Sequence, residues 1–258
     1  MSGYRHPEVA ALVLAAGMGK RMNSDLAKVL HSMAGRSLLD HVLETLDLLG
    51  VGRKVIVIGH QRERVQAAFV SREGLEWAVQ AEQRGTGHAC MMAEPALGEF
   101  GGTLLVVCGD TPLLTARTLH GLLEMHAASG ASVTVLSMRL PDPKGYGRIV
   151  RSSDGSSIDR IVEEKDASPE HKQLNEVNSG IYVFAYPRLL DVLSRLTADN
   201  SQGEYYLTDT VSLLQARGAK AAVVCADDYQ ELMGINTPEQ LAEAEAAWRV
   251  LESRGGHA

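Results

Sequence analysis

Between Leu12 and Lys28 the chain reads LVLAAGMGKRMNSDLAK, an apolar run that breaks into a glycine turn followed by three cations. Residues 9–15 (VAALVLA) are short, continuous and apolar, as expected of a central parallel strand covered on both faces. The loop after it has the makings of a phosphate site. Glycines let the backbone turn tightly and bring N–H groups close to an anion, while Lys20, Arg21 and Lys28 add mobile charge around the same loop. Two familiar motifs are excluded. Only Met18 separates Gly17 from Gly19, which is not Walker spacing, and Met22 stands where a dinucleotide fingerprint needs its third glycine. A glycine turn with solvated basic residues explains the same letters until other stretches are added.

Those stretches repeat one alternation. From Ser37 an apolar stripe (Leu38, Leu39, Val42, Leu46, Leu49) predicts a helix capped by Ser37 and stopped by Gly50. KVIVIG (54–59), a polar helical segment with Val65, Ala68 and Phe69, and LEWAVQ (75–80) continue a β-α-β-α-β pattern. TLLVVCGD (103–110) adds a buried strand, Thr115 caps the next helix, and ASVTVLSM (131–138) adds another strand. The fold class predicted is α/β: a doubly wound, Rossmann-like, mostly parallel mixed sheet with ligands beyond the carboxyl ends of its strands. After Pro141 the chain turns to short β-rich pieces, GYGRIVRSSDGSSIDRIVEEKD and NEVNSGIYVF, read as a small β-rich insertion over the cleft at about 141–185. Helices at 187–196 and about 206–216, a strand AAVVC (221–225) and a C-terminal helix at 237–254, opened by the capping box Thr237-Pro238-Glu239-Gln240, complete a single domain over 1–258.

A net charge of −7 argues against general attraction to nucleic acid or anionic membrane, so neither is an expected partner and the cations near residue 20 are local to a site. Cys90, Cys108 and Cys225 form no C-x-x-C pair and fit reduced thiols; with no signal-like N-terminus or membrane-length apolar run, a cytoplasmic protein is expected. Cys108, ending an apolar run, reads as a core residue.

Asp110 ends a strand beside the phosphate loop and is well placed to hold Mg²⁺; an aspartate that merely turns the chain before Thr111-Pro112 is the lesser alternative. Asn236 in GINTPEQ offers a neutral oxygen ligand or a turn. In QAEQRGTGHA (80–89), Gln80 and the Gly85-Thr86-Gly87 turn offer groups for a nucleobase edge, or are an ordinary strand-to-helix connection with His88 structural. Glu163, Lys165, Asp166 and Asn178 carry the groups that sugar hydroxyls require, as solvated loops also do. Neither H-E-x-x-H nor G-x-S-x-G occurs, so zinc and serine hydrolysis are unsupported.

Taken together, LAAGMGKRM, SDLAKVLH, QAEQRGTGHA, GDTPL, GYGRI, VEEKDA, NSG, NSQGEYYLTD and GIN, in that order from about residue 9 to 240, resemble the uridylyltransferase domain of bacterial N-acetylglucosamine-1-phosphate uridylyltransferases. The resemblance implies transfer from UTP to N-acetylglucosamine-1-phosphate with Mg²⁺ as cofactor; another sugar-1-phosphate, a thymidylyl donor, or a silent binding module are the alternatives. It implies that Leu14, Ala15, Ala16, Gly17 and Gly19 lie along the nucleotide, that Arg21 and Lys28 neutralise phosphates, and that Gln80, Gly85 and Thr86 hold uridine. Asp110 and Asn236 would hold the metal, and Gly147, Glu163 and Asn178 the amino sugar. Lys20 stands where the family commonly has threonine. The family's hexapeptide-repeat β-helix, which acetylates glucosamine-1-phosphate, finds no counterpart in these residues, so a monomer or weak dimer without acetyltransferase activity is expected.

Overall fold

A computed structural model describes residues 4–253. In chain order, β1 (His6–Ala15) leads through the short ribbon strands β2 (Ser32–Met33) and β3 (Arg36–Ser37) into α1 (Leu38–Leu49). β4 (Val51–Ile58), α2 (Arg62–Ala68), β5 (Leu75–Val79), α3 (Thr86–Leu97), β6 (Thr103–Cys108), α4 (Ala116–Ser129) and β7 (Val133–Arg139) follow. Then come β8 (Arg148–Arg151), β9 (Ile158–Val162), β10 (Glu176–Ala185), α5 (Tyr186–Leu193), α6 (Asp209–Gln215), β11 (Ala221–Cys225) and α7 (Pro238–Ser253).

The main sheet runs β11-β7-β10-β6-β1-β4-β5. β6, β1, β4 and β5 are mutually parallel, β11 is parallel to β7, and β10 is antiparallel to both its neighbours. This is the mixed, mostly parallel α/β architecture the alternation predicts. After β5 the chain returns across β1 to lay down β6, so the strand order reverses between β1 and β6. Loops leaving the carboxyl ends of two such strands diverge and leave a crevice.

The pleat divides the core. Ala11, Val13 and Ala15 face a layer with Leu39, Val42 and Leu46 of α1 and Leu119 and Leu122 of α4, while Ala10 and Leu12 face Ala89 and Ala93 of α3 and Leu189 of α5. Ser37 Oγ accepts the Asp40 N–H and Gly50 closes α1 in the left-handed region (φ 70°), as its cap residues predict. A third cluster packs Ala244 and Trp248 of α7 on Met22, Met33 and Ile235, which ties the C-terminal helix to the segment after the glycine loop. Position 254 of the predicted helix lies outside the described residues.

The β-rich stretch departs from its reading in one respect. β8 and β9 form a hairpin at the side, but β10 is a full member of the main sheet: Tyr182–Ala185 pair with β6 while Glu176–Phe184 pair with β7. Its second half, IYVFA, is apolar on both faces and is buried accordingly. A register shift between Asn178 and Ile181 separates the two halves, with Gly180 at φ 82°. Across the bulge β10 keeps β7 on one edge and exchanges β6 for β8 on the other, with Val177 opposite Arg148.

Candidate active site

The crevice at the strand-order reversal is lined by Leu14, Ala15, Ala16 and Gly17 from the end of β1 and by Asp110 after β6. Lys28, Gln80, Gly85 and Thr86 line the same cleft. Gly109 N donates to Leu14 O at 2.9 Å, holding the two strand ends together. Gly19 belongs to the loop's conformation: at φ 62°, a Cβ there would stand 2.7 Å from Lys28 Cβ, so only glycine lets the loop fold back against Lys28. The Lys20 side chain lies outside the described residues.

Lys28 is the hub of the charged groups. Its Nζ pairs with Asp110 Oδ2 and donates to Asn236 Oδ1 at 3.0 Å, and Arg21 donates to the same Asn236 oxygen at 3.0 Å. Asp110 and Asn236, 126 residues apart in sequence, are joined through the backbone, where Ile235 N donates to Asp110 O at 2.9 Å. Gln240 Oε1 accepts the Asn236 N–H at 2.8 Å while Thr237 Oγ accepts the Gln240 N–H, so the capping box of α7 also fixes Asn236.

A carboxylate and an amide oxygen that already converge on one ammonium present the hard oxygen donors that Mg²⁺ takes. Among the described residues no group of three or more His, Cys, Asp or Glu side chains gathers to hold a metal. A cation held here would have to take its remaining ligands from water and phosphate, which suits Mg²⁺ better than Zn²⁺.

The opposite wall is built on α3. Gln80 is buried; its Nε2 donates to Gly85 O at 2.9 Å and lies 3.1 Å from His88 Nδ1, which makes His88 a fixing residue for Gln80. Gly85 has φ 102° and ψ 173°, a region essentially confined to glycine. Residues 205–207 close over this turn: Tyr205 N donates to Arg84 O and Gly87 N to Tyr205 O, both at 2.8 Å, and Thr86 Oγ1 accepts the Leu207 N–H at 3.2 Å. Cys108 was expected in the core but is only partly buried and lines the cleft beside Asp110, because β6 ends there; burial pushes its thiol up to about 12.

Gly147, Glu163 and Asn178 also come together. A Cβ on Gly147 would lie 3.3 Å from Glu163 Oε2, Asn178 N donates to Gly147 O at 2.8 Å, and Gly180 N donates to Asn178 Oδ1 at 3.1 Å. The Cys108 thiol donates to Gly180 O at 3.7 Å, which sets this group beside the cleft. Thr208 Oγ1 donates to Glu163 Oε1 at 3.0 Å. Thr208 was visible in the sequence only as part of the NSQGEYYLTD block, since nothing local to it announces a glutamate 45 residues away.

A sequence model of the family described as the MobA-like NTP transferase domain matches residues 11–216. The chain belongs to the MobA-like NTP transferase family. It is an enzyme of the nucleotidyltransferase class, and the glycine loop, Lys28 and Asp110 all fall inside the matched span. Similar relatives carry the name bifunctional protein GlmU. That of Trichlorobacter lovleyi is 51% identical over 95% of this chain and 52% of its own length. Those of Exiguobacterium sibiricum and Heliobacterium modesticaldum are each 48% identical, over 93% and 95% of this chain and 53% and 52% of their own. The likeness anticipated from the ordered motifs is thus met, and the chain spans about half the length of the curated relatives it matches. Among the described residues no helix is long and apolar enough to cross a membrane.

Proposed function

We propose that this nucleotidyltransferase moves the uridylyl group of UTP to N-acetylglucosamine-1-phosphate, releasing pyrophosphate. The observation that carries the reading is the convergence of Lys28, Arg21, Asp110 and Asn236 at a cleft that has the Gln80–Gly85 wall on one side and the Gly147–Glu163–Asn178 group beside it. An oxygen of the sugar phosphate attacks the α-phosphorus in line, and the new P–O bond forms as the bond to pyrophosphate breaks. The attacking phosphate is ionised near neutral pH, so no side chain has to remove a proton. Lys28 and Arg21 neutralise the phosphates and hold two polyanions in alignment. Asp110 and Asn236 would hold Mg²⁺, which when bound supplies further charge neutralisation and a template for the phosphates. Buried Gln80 and the Gly85 backbone suit a flat pyrimidine edge, and Glu163 with Asn178 suits sugar hydroxyls. Pyrophosphate release from UTP, measured across a panel of sugar-1-phosphates, tests the reading; N-acetylglucosamine-1-phosphate is expected to lead the panel, and turnover with none of them would overturn it.

Glu163 allows a sharper prediction. Replacing it by alanine is expected to raise KM for the sugar phosphate by about tenfold to a hundredfold, with UTP KM little changed, because an acceptor for sugar hydroxyls is lost. Burial raises the Glu163 carboxyl above the usual glutamate range, against the opposing hydrogen bond from Thr208. A carboxyl raised in the folded state costs stability once ionised; that cost is complete above the raised value and vanishes as pH falls below the unfolded one. Glu163→Gln keeps an acceptor for Thr208 and removes the charge. It is expected to melt above the wild type at neutral pH, with the gain shrinking in acid, and thermal melts across pH check this. A lower Tm at neutral pH would count against a strained, functional carboxylate.

A further inference from the structure

Next to this group lies a charged pair that none of the roles above uses. Arg148, the first residue of β8, is 2% exposed, and its guanidinium lies 2.8 Å from Glu164 Oε2. It also donates to Tyr146 O, while its Nε has no partner and Glu164 Oε2, despite the close approach, meets the guanidinium as a charge and not in hydrogen-bond geometry. Burial works to raise the Glu164 carboxyl, but Arg148 and the backbone at Gly145 together hold it below the usual range. Removing a guanidinium from water is costly, and a buried ion pair with an unmet donor is a poor source of stability compared with apolar side chains of the same volume. What the pair does offer is fixed geometry.

The contacts show what it fixes. Arg148 and its acceptor Tyr146 flank Gly147, and Glu164 follows Glu163 directly. Gly147 O accepts the Asn178 N–H, and Gly147 packs against Glu163. The ion pair therefore clamps the two backbone segments that carry Gly147 and Glu163, and through Gly147 it holds Asn178. Tyr146 extends the reach of the clamp, since its hydroxyl donates to Met233 Sδ at 3.8 Å, three residues before Asn236.

We propose that Arg148 and Glu164 are positioning residues that set the spacing of Gly147, Glu163 and Asn178 and thereby the affinity for the sugar phosphate. This rests on the reading of those three residues as the sugar side of the site. Neither member of the pair lines the nucleotide cleft, so the effect falls on one substrate. Arg148→Met fills the volume without the charge, and Glu164→Ala releases the partner that is a quarter exposed, so it keeps the test available if the buried substitution fails to fold.

Arg148→Met and Glu164→Ala are each expected to raise the sugar-phosphate KM by about tenfold with UTP KM within about twofold, as loss of one charge-assisted contact predicts. Arg148→Lys should fall between, and the double variant should be no worse than Arg148→Met, because both changes remove one interaction. Equal rises in both KM values, multiplying effects in the double variant, or wild-type KM values in both single variants would overturn the proposal. Amide hydrogen exchange without substrate separates the clamp from the reading beneath it. In Glu164→Ala the Asn178 amide should lose protection while amides of β1 and β6 keep theirs. Unchanged protection would overturn the clamp; a wild-type enzyme that accepts no sugar-1-phosphate would overturn the substrate reading and leave the clamp to be decided by exchange.

Discussion

Asparagine in place of Asp110 is expected to cut turnover by about 10²- to 10⁴-fold, the range lost when charge stabilisation of a transition state is removed. Among the described residues Asp110 is the only carboxylate in the group formed with Lys28, Arg21 and Asn236. Its replacement leaves a neutral oxygen that still accepts from Lys28, and the Ile235 N–H still reaches the residue 110 carbonyl, so the backbone contacts at this edge persist although Lys28 loses its counter-charge. Tm should stay within a few degrees of the wild type. Because the change weakens metal binding rather than abolishing the phosphate contacts, excess Mg²⁺ should restore part of the lost rate, and chelation should silence wild type and variant alike. Near-normal turnover of Asp110→Asn at limiting Mg²⁺ would contradict the metal role.

The second large effect is expected at Gly85, where the loss is conformational. With φ 102° and ψ 173° the residue sits in backbone space that costs an L side chain about 1–3 kcal/mol before any clash is counted. A Cβ there would also stand 2.6 Å from Tyr205 O and 3.0 Å from Tyr205 N, and both atoms are backbone with little room to yield. Gly85→Ala must therefore push the 205–207 segment off the start of α3 or distort the turn whose carbonyl holds buried Gln80. UTP KM should rise by about tenfold or more and Tm should fall by several degrees, the shift that a few kcal/mol produces in a domain of this size. Differential scanning calorimetry with initial-rate kinetics checks both, and a variant with wild-type Tm and UTP KM would show that the turn is not under constraint.

Much of this was legible from local letters. The apolar runs ending in glycine or aspartate declare parallel strands and their loop ends, and Ser37 and Gly50 bound α1 because caps act within a turn. The nucleotide side was legible for a related reason: the glycine loop follows β1 directly, and only six residues separate the end of β5 from the start of α3.

What escaped was set by long-range pairing. IYVFA reads as one more short strand, and only its register against β6 and β7 makes β10 a central strand with a bulge that turns Asn178 toward Gly147. Lys28 reads as a phosphate cation, yet in the protein alone it neutralises Asp110 and shares Asn236 with Arg21, partners 82, 208 and 215 residues apart in sequence. No sequence pattern singles out Arg148 or Glu164, and nothing short of the three-dimensional packing reveals that the arginine is buried.

The most direct test follows the phosphorus atoms. With UTP labelled separately at the α- and γ-phosphates and N-acetylglucosamine-1-phosphate as acceptor, the α-label should appear in the sugar nucleotide and the γ-label in free pyrophosphate, in equal amounts and only with Mg²⁺. Release of the γ-label as orthophosphate, or an α-label that stays in UTP or leaves as UMP without joining the sugar phosphate, would contradict nucleotidyl transfer at this site.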